Sequence, residues 1–163
     1  MEFVFTPWRL EYVQSAREPG ACIFCRAFED EPSLDNLVLY RDDMLAVMLN
    51  RYPYTNGHML VVPKQHTDSL TGLSPEVRSA AAEILTHCET VLRRIYKAHG
   101  INVGLNLGQA AGAGIIEHLH WHILPRWHGD TNFVTLFGDL RVIPEDLQAV
   151  FDRLRPEFPA LIR

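Results

Sequence analysis

Cysteine, excess charge of one sign and long apolar runs are all scarce in this sequence, and each scarcity closes off a class of protein. There are three cysteines, Cys22, Cys25 and Cys88. An odd number with two in a C-x-x-C pair suits cytosolic thiols or a metal clip rather than a disulfide framework. Lys and Arg number 15 against 20 Asp and Glu, a net charge of −5 with His neutral. Bulk attraction to nucleic acid is therefore not expected, although local donors can still hold a small anion. No apolar run approaches the length of a membrane span. Residues 1–10 lack the basic stretch and apolar core of a signal peptide. The expected location is the cytoplasm, with no membrane partner. Repeats, low-complexity tracts and long linkers are also missing, and 163 residues at 47% hydrophobic suit one domain with a real core.

What is present reads as strands around one long helix. Residues 36–41 and 44–49 are β-prone runs separated by Asp42-Asp43, a hairpin signal. Residues 51–57 form a turn, and 58–62 read as a buried strand stopped by Pro63. Ser74-Pro75-Glu76 starts a helix: Ser caps it, Pro takes the first helical position, and Glu favours the positive end. Val77, Ala81, Ile84, Leu85, Cys88, Val91, Leu92 and Ile95 then make one apolar stripe, with Gly100 ending the helix. Residues 101–107 alternate as a strand, 108–114 form a glycine- and alanine-rich loop, and 144–154 a short second helix. The order argues an α+β fold, one antiparallel sheet with a helix on one face.

The feature with chemistry in it is residues 118–124, His-Leu-His-Trp-His-Ile-Leu, with Pro125 as its stop. Read as a strand, the run puts His118, His120 and His122 on one face and Leu119, Trp121 and Ile123 on the other. The apolar face can pack on a core; three imidazoles have no packing reason to share the opposite one. Imidazole titrates near neutrality and serves as base, acid, nucleophile or metal ligand. Just upstream, Asn106 and the small-residue loop let backbone N–H groups approach an anion, which makes a phosphate site. Two imidazoles at i and i+2 can share a metal. The third lies roughly 13 Å from the first along a strand, so one ion does not take all three.

The triad resembles the histidine-triad (HIT) superfamily of nucleotide hydrolases and transferases. The resemblance runs from about Cys22 to Trp127. It includes Cys22-Ile-Phe-Cys25, Asn50-Arg-Tyr-Pro53, residues 57–64 from Gly57 to Lys64, Gln65-His66 and Asn106-Leu-Gly. It implies a single HIT-like domain with a core at about 22–127 and flanks at 1–21 and 128–163. His120 would attack the α-phosphorus of a nucleotide to give a nucleotidyl-histidine intermediate, resolved by water or another acceptor, with His122 beside the scissile phosphate. Asn106, Gly114 and Ile115 fall at phosphate-contact positions, and Asn50 at the ribose position. Such chemistry needs positioning and charge stabilisation above all. The loop between Asn106 and His118 is one residue longer than in many members, and Ile115 stands where many have Ser or Thr. Asn50, where phosphoramidase-like members have Asp, resembles the dinucleoside-polyphosphate branch, and residues 112–133 resemble bacterial diadenosine tetraphosphate phosphorylases. A phosphoramidase-type hydrolase, a nucleotide-binding protein without turnover and a metal-dependent hydrolase are the rival readings. The resemblance also implies a homodimer.

Cys22 and Cys25 have zinc-ligand spacing, although two reduced thiols fit too. The resemblance adds His66 and His118, which would complete a closed structural zinc site not required for the chemistry. Among other residues, His58 reads as a hydrogen-bonded structural histidine, with a place behind the catalytic residues as the alternative, His87 and His99 as solvated or capping, and Cys88 as core. Trp8, Trp121 and Trp127 could stack a base, with Trp121 turned toward packing by alternation. Phe24 and Leu49 are core residues that could wall an adenine pocket. Lys64 and Arg126 are surface charges that could steer phosphates.

Overall fold

The structure, a computed structural model, describes residues 22–130 and 143–158; Trp8 and the flank 1–21 lie outside the described residues. Asp42 turns the first hairpin as expected, its Oδ1 accepting from Met44 N at 2.7 Å and Leu45 N at 2.8 Å. The hairpin joins β1 (Val38–Arg41) to β2 (Leu45–Leu49). β3 (Met59–Pro63), β4 (Gly100–Leu105) and β5 (Trp121–Arg126) complete a five-stranded antiparallel sheet in the order β1-β2-β3-β5-β4. Helix α1 (Ile23–Arg26) is a single turn, α2 (Pro75–Tyr96) is the long helix, and α3 (Leu147–Leu154) follows late. This is the expected α+β fold.

Both faces of the sheet are covered at its centre, so β2 and β3 are buried along their whole lengths. That explains why Leu-Ala-Val-Met-Leu and Met-Leu-Val-Val-Pro carry no polar alternation. One face packs Leu45, Val47, Leu49, Met59, Val61 and Ile123 under Ala81, Ile84, Cys88, Val91 and Leu92 of α2. Those helix residues are the stripe read from the sequence. The other face packs Val38, Met48, Leu60 and Val62 against Phe24, Ala27 and Ile115. Gly57, with φ +74°, lets the loop before β3 cross α2 closely; an added Cβ would lie 2.9 Å from Tyr96 Cε2 and 3.1 Å from Leu92 Cδ2.

Several boundaries differ from the sequence reading: β1 starts two residues later, β3 is shifted by one and includes Pro63, β4 runs from Gly100 to Leu105, and three further differences have a clear physical reason. Helix α2 starts as expected, with Ser74 Oγ accepting from Val77 N, but it is ended by Lys97 in the left-handed region (φ 52°), not by Gly100, which opens β4. The reason is tertiary: His99 N already donates to Arg126 O at 2.9 Å, so the chain has joined the sheet before it reaches the glycine. α3 starts at Leu147 rather than Pro144, because Asp146 caps it by accepting from Ala149 N at 2.8 Å. The third difference, in the histidine strand, belongs to the site.

Candidate functional site

The histidine run is displaced along its strand. β5 spans Trp121–Arg126, so His118 and His120 precede it and Pro125 lies inside it. Leu119 N donates to Thr67 O at 2.7 Å, outside the ladder, which is why pairing starts only at Trp121. Pro125 is tolerated because one residue's N–H and C=O point to the same side of a strand. Its carbonyl accepts from Thr55 Oγ1 at 3.2 Å, on the side where pairing with β3 has already stopped at Ile123. The missing N–H therefore costs β4 nothing. The alternation itself holds. Trp121 and Ile123 join the core under α2, while His118 and His120 pack on Phe24 with ring centroids 5.5 and 4.7 Å away. His120 and His122 rings meet at 4.9 Å.

The hydrogen bonds settle which nitrogens carry protons. His120 Nδ1 is 3.0 Å from His118 O. A carbonyl only accepts, so Nδ1 carries the hydrogen and Nε2 keeps its lone pair. Tyr54 N donates to His58 Nδ1 at 3.1 Å. The other nitrogen of His58, Nε2, therefore holds the hydrogen and donates to His122 Nδ1 at 3.0 Å. By the same logic His122 presents an Nε2–H donor. A lone pair and a donor thus stand on adjacent rings, the requirement for attacking a phosphorus while holding its oxygens. Burial lowers the pKa of His120, with the His118 hydrogen bond opposing, and burial followed by the neighbouring His120 lowers that of His122 to about 4. Both rings are neutral at neutral pH.

The remaining expected residues fall into three groups. Asn50 is drawn in: its Nδ2 is 3.4 Å from His58 Nδ1 and its Oδ1 accepts from Tyr52 N at 3.0 Å. Gly104 pairs with His122 across the sheet, and an added Cβ there would meet nothing within 4 Å. Half-buried Asn106 follows directly on the last pair of that ladder, Leu105 with Trp121. Gly114 is exposed, whereas the Ile115 side chain is buried among Phe24, Val38 and Leu60 and offers the site only backbone. Leu49 packs on the α2 side and Phe24 on the histidine side, so they do not wall one pocket across the sheet. Arg126 is engaged by Asp130 and Asn102, and Lys64 is exposed. His87 is half-buried, with its Nε2 2.9 Å from Glu157 O. His99 Nδ1 accepts from His128 N, and Trp127 Nε1 donates to Tyr96 O. His58 is buried and hydrogen-bonded as read, and its Nε2 contact to His122 Nδ1 puts it behind a triad histidine, the alternative that the sequence reading ranked second. The one available signal was its same-face parity with Leu60 on β3.

The cysteine pair has company. Cys22, Cys25, His66 and His118 bring one ligand atom each to within 4.8 Å of one another. Cys22 Sγ is 3.3 Å from His118 Nδ1, and Cys25 Sγ is 3.3 Å from His66 Nδ1 and 3.7 Å from His118 Nδ1. Bonds of about 2.0–2.3 Å to a tetrahedral ion put ligand atoms roughly 3.5 Å apart, so this group could hold a metal. The ring of His118 is oriented for it: Nε2 lies 2.8 Å from Pro63 O, which assigns that nitrogen the hydrogen and turns Nδ1 to the thiols as a ligand. Burial and then the facing Cys22 raise the Cys25 thiol to about 11, a cost that a cation between the sulfurs reverses.

A sheet bearing alternate imidazoles on one face, beside a Cys2His2 cluster, is the architecture of a histidine-triad protein. Residues 31–129 match the HIT domain family, and the chain belongs to it. It is similar to AP-4-A phosphorylase of Mycobacterium tuberculosis, 37% identical over 156 residues, 91% of this chain and 80% of that protein. It is also similar to Adenylylsulfatase HINT3 of Arabidopsis thaliana, 32% identical over 118 residues, 72% of this chain and 58% of that protein. Among solved structures it is similar to a Zn-bound histidine triad family protein from Mycobacterium smegmatis, with TM-score 0.67, 31% identity and coverage of 84% of this chain and 92% of that one.

The depressed His122 pKa makes stability depend on acid. Above the ordinary value of 6.5 folded and unfolded chains are both neutral there, and nothing is lost. Below it the unfolded chain binds a proton that the folded chain refuses until about pH 4, so stability falls across that window. Thermal melts are expected to drop between those values, and to drop less steeply in His122→Gln; equal slopes refute the assignment.

Proposed function

We propose that the protein is a nucleotidyl hydrolase or transferase acting at the α-phosphate of nucleoside 5′-phosphate derivatives, with dinucleoside polyphosphates as substrates. The observation that carries this reading is the His120 Nδ1 contact to His118 O at 3.0 Å, which frees Nε2 beside the His122 donor. His120 Nε2 attacks the α-phosphorus, a P–N bond forms, and the P–O bond to the remaining polyphosphate breaks in line. His122 Nε2–H, held by His58, steadies the oxygens through the transition state. Asn106 and the backbone at Gly114 and Ile115 hold phosphate oxygens, and Asn50 takes ribose hydroxyls. In the second step an oxygen of water or inorganic phosphate attacks the same phosphorus and the P–N bond breaks, restoring His120. Similarity to AP-4-A phosphorylase supports phosphate as the acceptor. With diadenosine tetraphosphate, ADP is expected only when phosphate is present; AMP and ATP without phosphate would mark a hydrolase. His120→Ala should keep its fold and nucleotide affinity and lose turnover, with no adenylylated protein by mass spectrometry. Near-normal turnover in that variant sinks the assignment.

Zinc is the ion we assign to Cys22, Cys25, His66 and His118. The donor set, two thiolates and two imidazoles, suits it, as does similarity to a Zn-bound relative. Its contribution is structural: it ties α1 to the start of the histidine run. Metal analysis should return one zinc per chain. The chelated protein should melt lower and recover with zinc but not magnesium. A metal-free protein of unchanged melting temperature contradicts this.

The assembly is read as a cytoplasmic homodimer. β4 is an edge of the sheet and leaves Val103 54% exposed, an edge that a second copy would cover. No described helix is long and apolar enough to cross a membrane. Light scattering should give twice the chain mass, and a monomer mass at micromolar concentration rejects the dimer.

A further inference from the structure

Two adjacent residues of the loop between β2 and β3 hold opposite ends of one arrangement. Tyr54 N donates to His58 Nδ1 at 3.1 Å, which places the ring hydrogen on Nε2, 3.0 Å from His122 Nδ1. Thr55, the next residue, reaches the strand that carries His122: its Oγ1 donates to Pro125 O at 3.2 Å. The Thr55 backbone is tied to His58 as well, its carbonyl accepting from His58 N at 3.2 Å. Half-buried Thr55 therefore bridges the residue that gives a hydrogen bond to His122 and the strand on which His122 stands.

The contact at Pro125 has a chemical logic. A strand residue ordinarily turns an N–H and a C=O to the same neighbour. Proline turns only the carbonyl. A backbone partner there would satisfy that carbonyl and leave its own C=O facing the proline ring. The ladder between β3 and β5 stops at Ile123, and the Thr55 hydroxyl supplies the one donor that Pro125 can use.

The consequence falls on protons. With Tyr54 N–H in place, His58 donates, His122 Nδ1 accepts, and His122 Nε2 carries a hydrogen. Without it, the His58 hydrogen is free to sit on Nδ1. His58 Nε2 then accepts, the His122 hydrogen moves to Nδ1, and a lone pair faces the phosphate oxygens. Asn50 Nδ2 is a second donor to His58 Nδ1 but lies 3.4 Å away, so Tyr54 N is the closer hold on the tautomer. We propose that the Thr55 hydroxyl is a positioning group for the transfer reaction: by fastening the loop to β5 it keeps Tyr54 N–H on His58 and thereby a hydrogen on His122 Nε2. Its effect on turnover rests on the nucleotide reading above; its effect on the rings does not.

Thr55→Val keeps the side-chain shape and removes the donor, and Thr55→Ser keeps the donor. With nitrogen-15-labelled histidine, NMR of wild type should show His58 and His122 as Nε2–H tautomers. Thr55→Val should show mixed tautomers at both rings, and Thr55→Ser the wild-type pattern. On diadenosine tetraphosphate, kcat should fall about tenfold in Thr55→Val, the order of one hydrogen bond, with KM unchanged and kcat recovered in Thr55→Ser. A merely structural role would lower the melting temperature and leave tautomers and kcat of the folded protein as they are. Thr55→Ala removes the same donor and takes over the test if the valine variant does not fold. Other tautomers in wild type, wild-type tautomers without the hydroxyl, or an unchanged kcat without it overturns the proposal. If wild type turns over no dinucleotide, the transfer reading fails while the tautomers still decide the role of Thr55.

Discussion

His118 is the hinge-pin of the site because its ring and its backbone are committed in three directions at once. Nε2 is held by Pro63 O at 2.8 Å, Nδ1 faces the Cys22 and Cys25 thiols, and its carbonyl lies 3.0 Å from His120 Nδ1. The first contact fixes the tautomer that turns a lone pair on Nδ1 toward the thiols, where a metal could bind. The third fixes the tautomer of the next histidine. One fully buried imidazole therefore connects the end of β3, the N-terminal turn and the ring proposed as nucleophile. A metal at the cluster would stiffen all three.

The sheet supports this by keeping its faces distinct. The α2 face is sealed with aliphatic side chains, and the opposite face passes from an apolar patch around Phe24 to a row of imidazoles ending at His58. Each ring has a neighbour within about 5 Å, and the proton positions along the row are set by backbone groups of Tyr54 and His118. Backbone donors and acceptors do not titrate, so the arrangement persists across pH until the rings themselves are protonated. Burial delays that by disfavouring the charged forms. Among the described residues no carboxylate orients these rings: His120 is held by the His118 carbonyl and His122 by His58.

Much of the architecture was legible because local and tertiary preferences agree. Ser74-Pro75-Glu76 and the stripe from Ala81 to Leu92 read as a helix and are one. Asp42-Asp43 reads as a turn and makes one. Trp121 turned to the core, as alternation required. Boundaries were read less well wherever a partner distant in sequence decided them. Thr67 draws Leu119 out of the ladder, Thr55 shelters the Pro125 carbonyl, and Arg126 captures His99 before Gly100 can act as a cap.

The amino-acid order alone determined the alternation that lines up His118, His120 and His122, the zinc-like spacing of Cys22 and Cys25, and the apolar faces that must be buried; these follow from periodicity and side-chain chemistry within a few residues. It did not determine that His58, 64 residues from His122, would orient it, or that Asn56 and Glu145, 89 residues apart, would meet at a cavity. Those pairings depend on strand register and on where α3 lands. No local pattern carries that information, because only the closed fold fixes the distances over which a hydrogen bond can form.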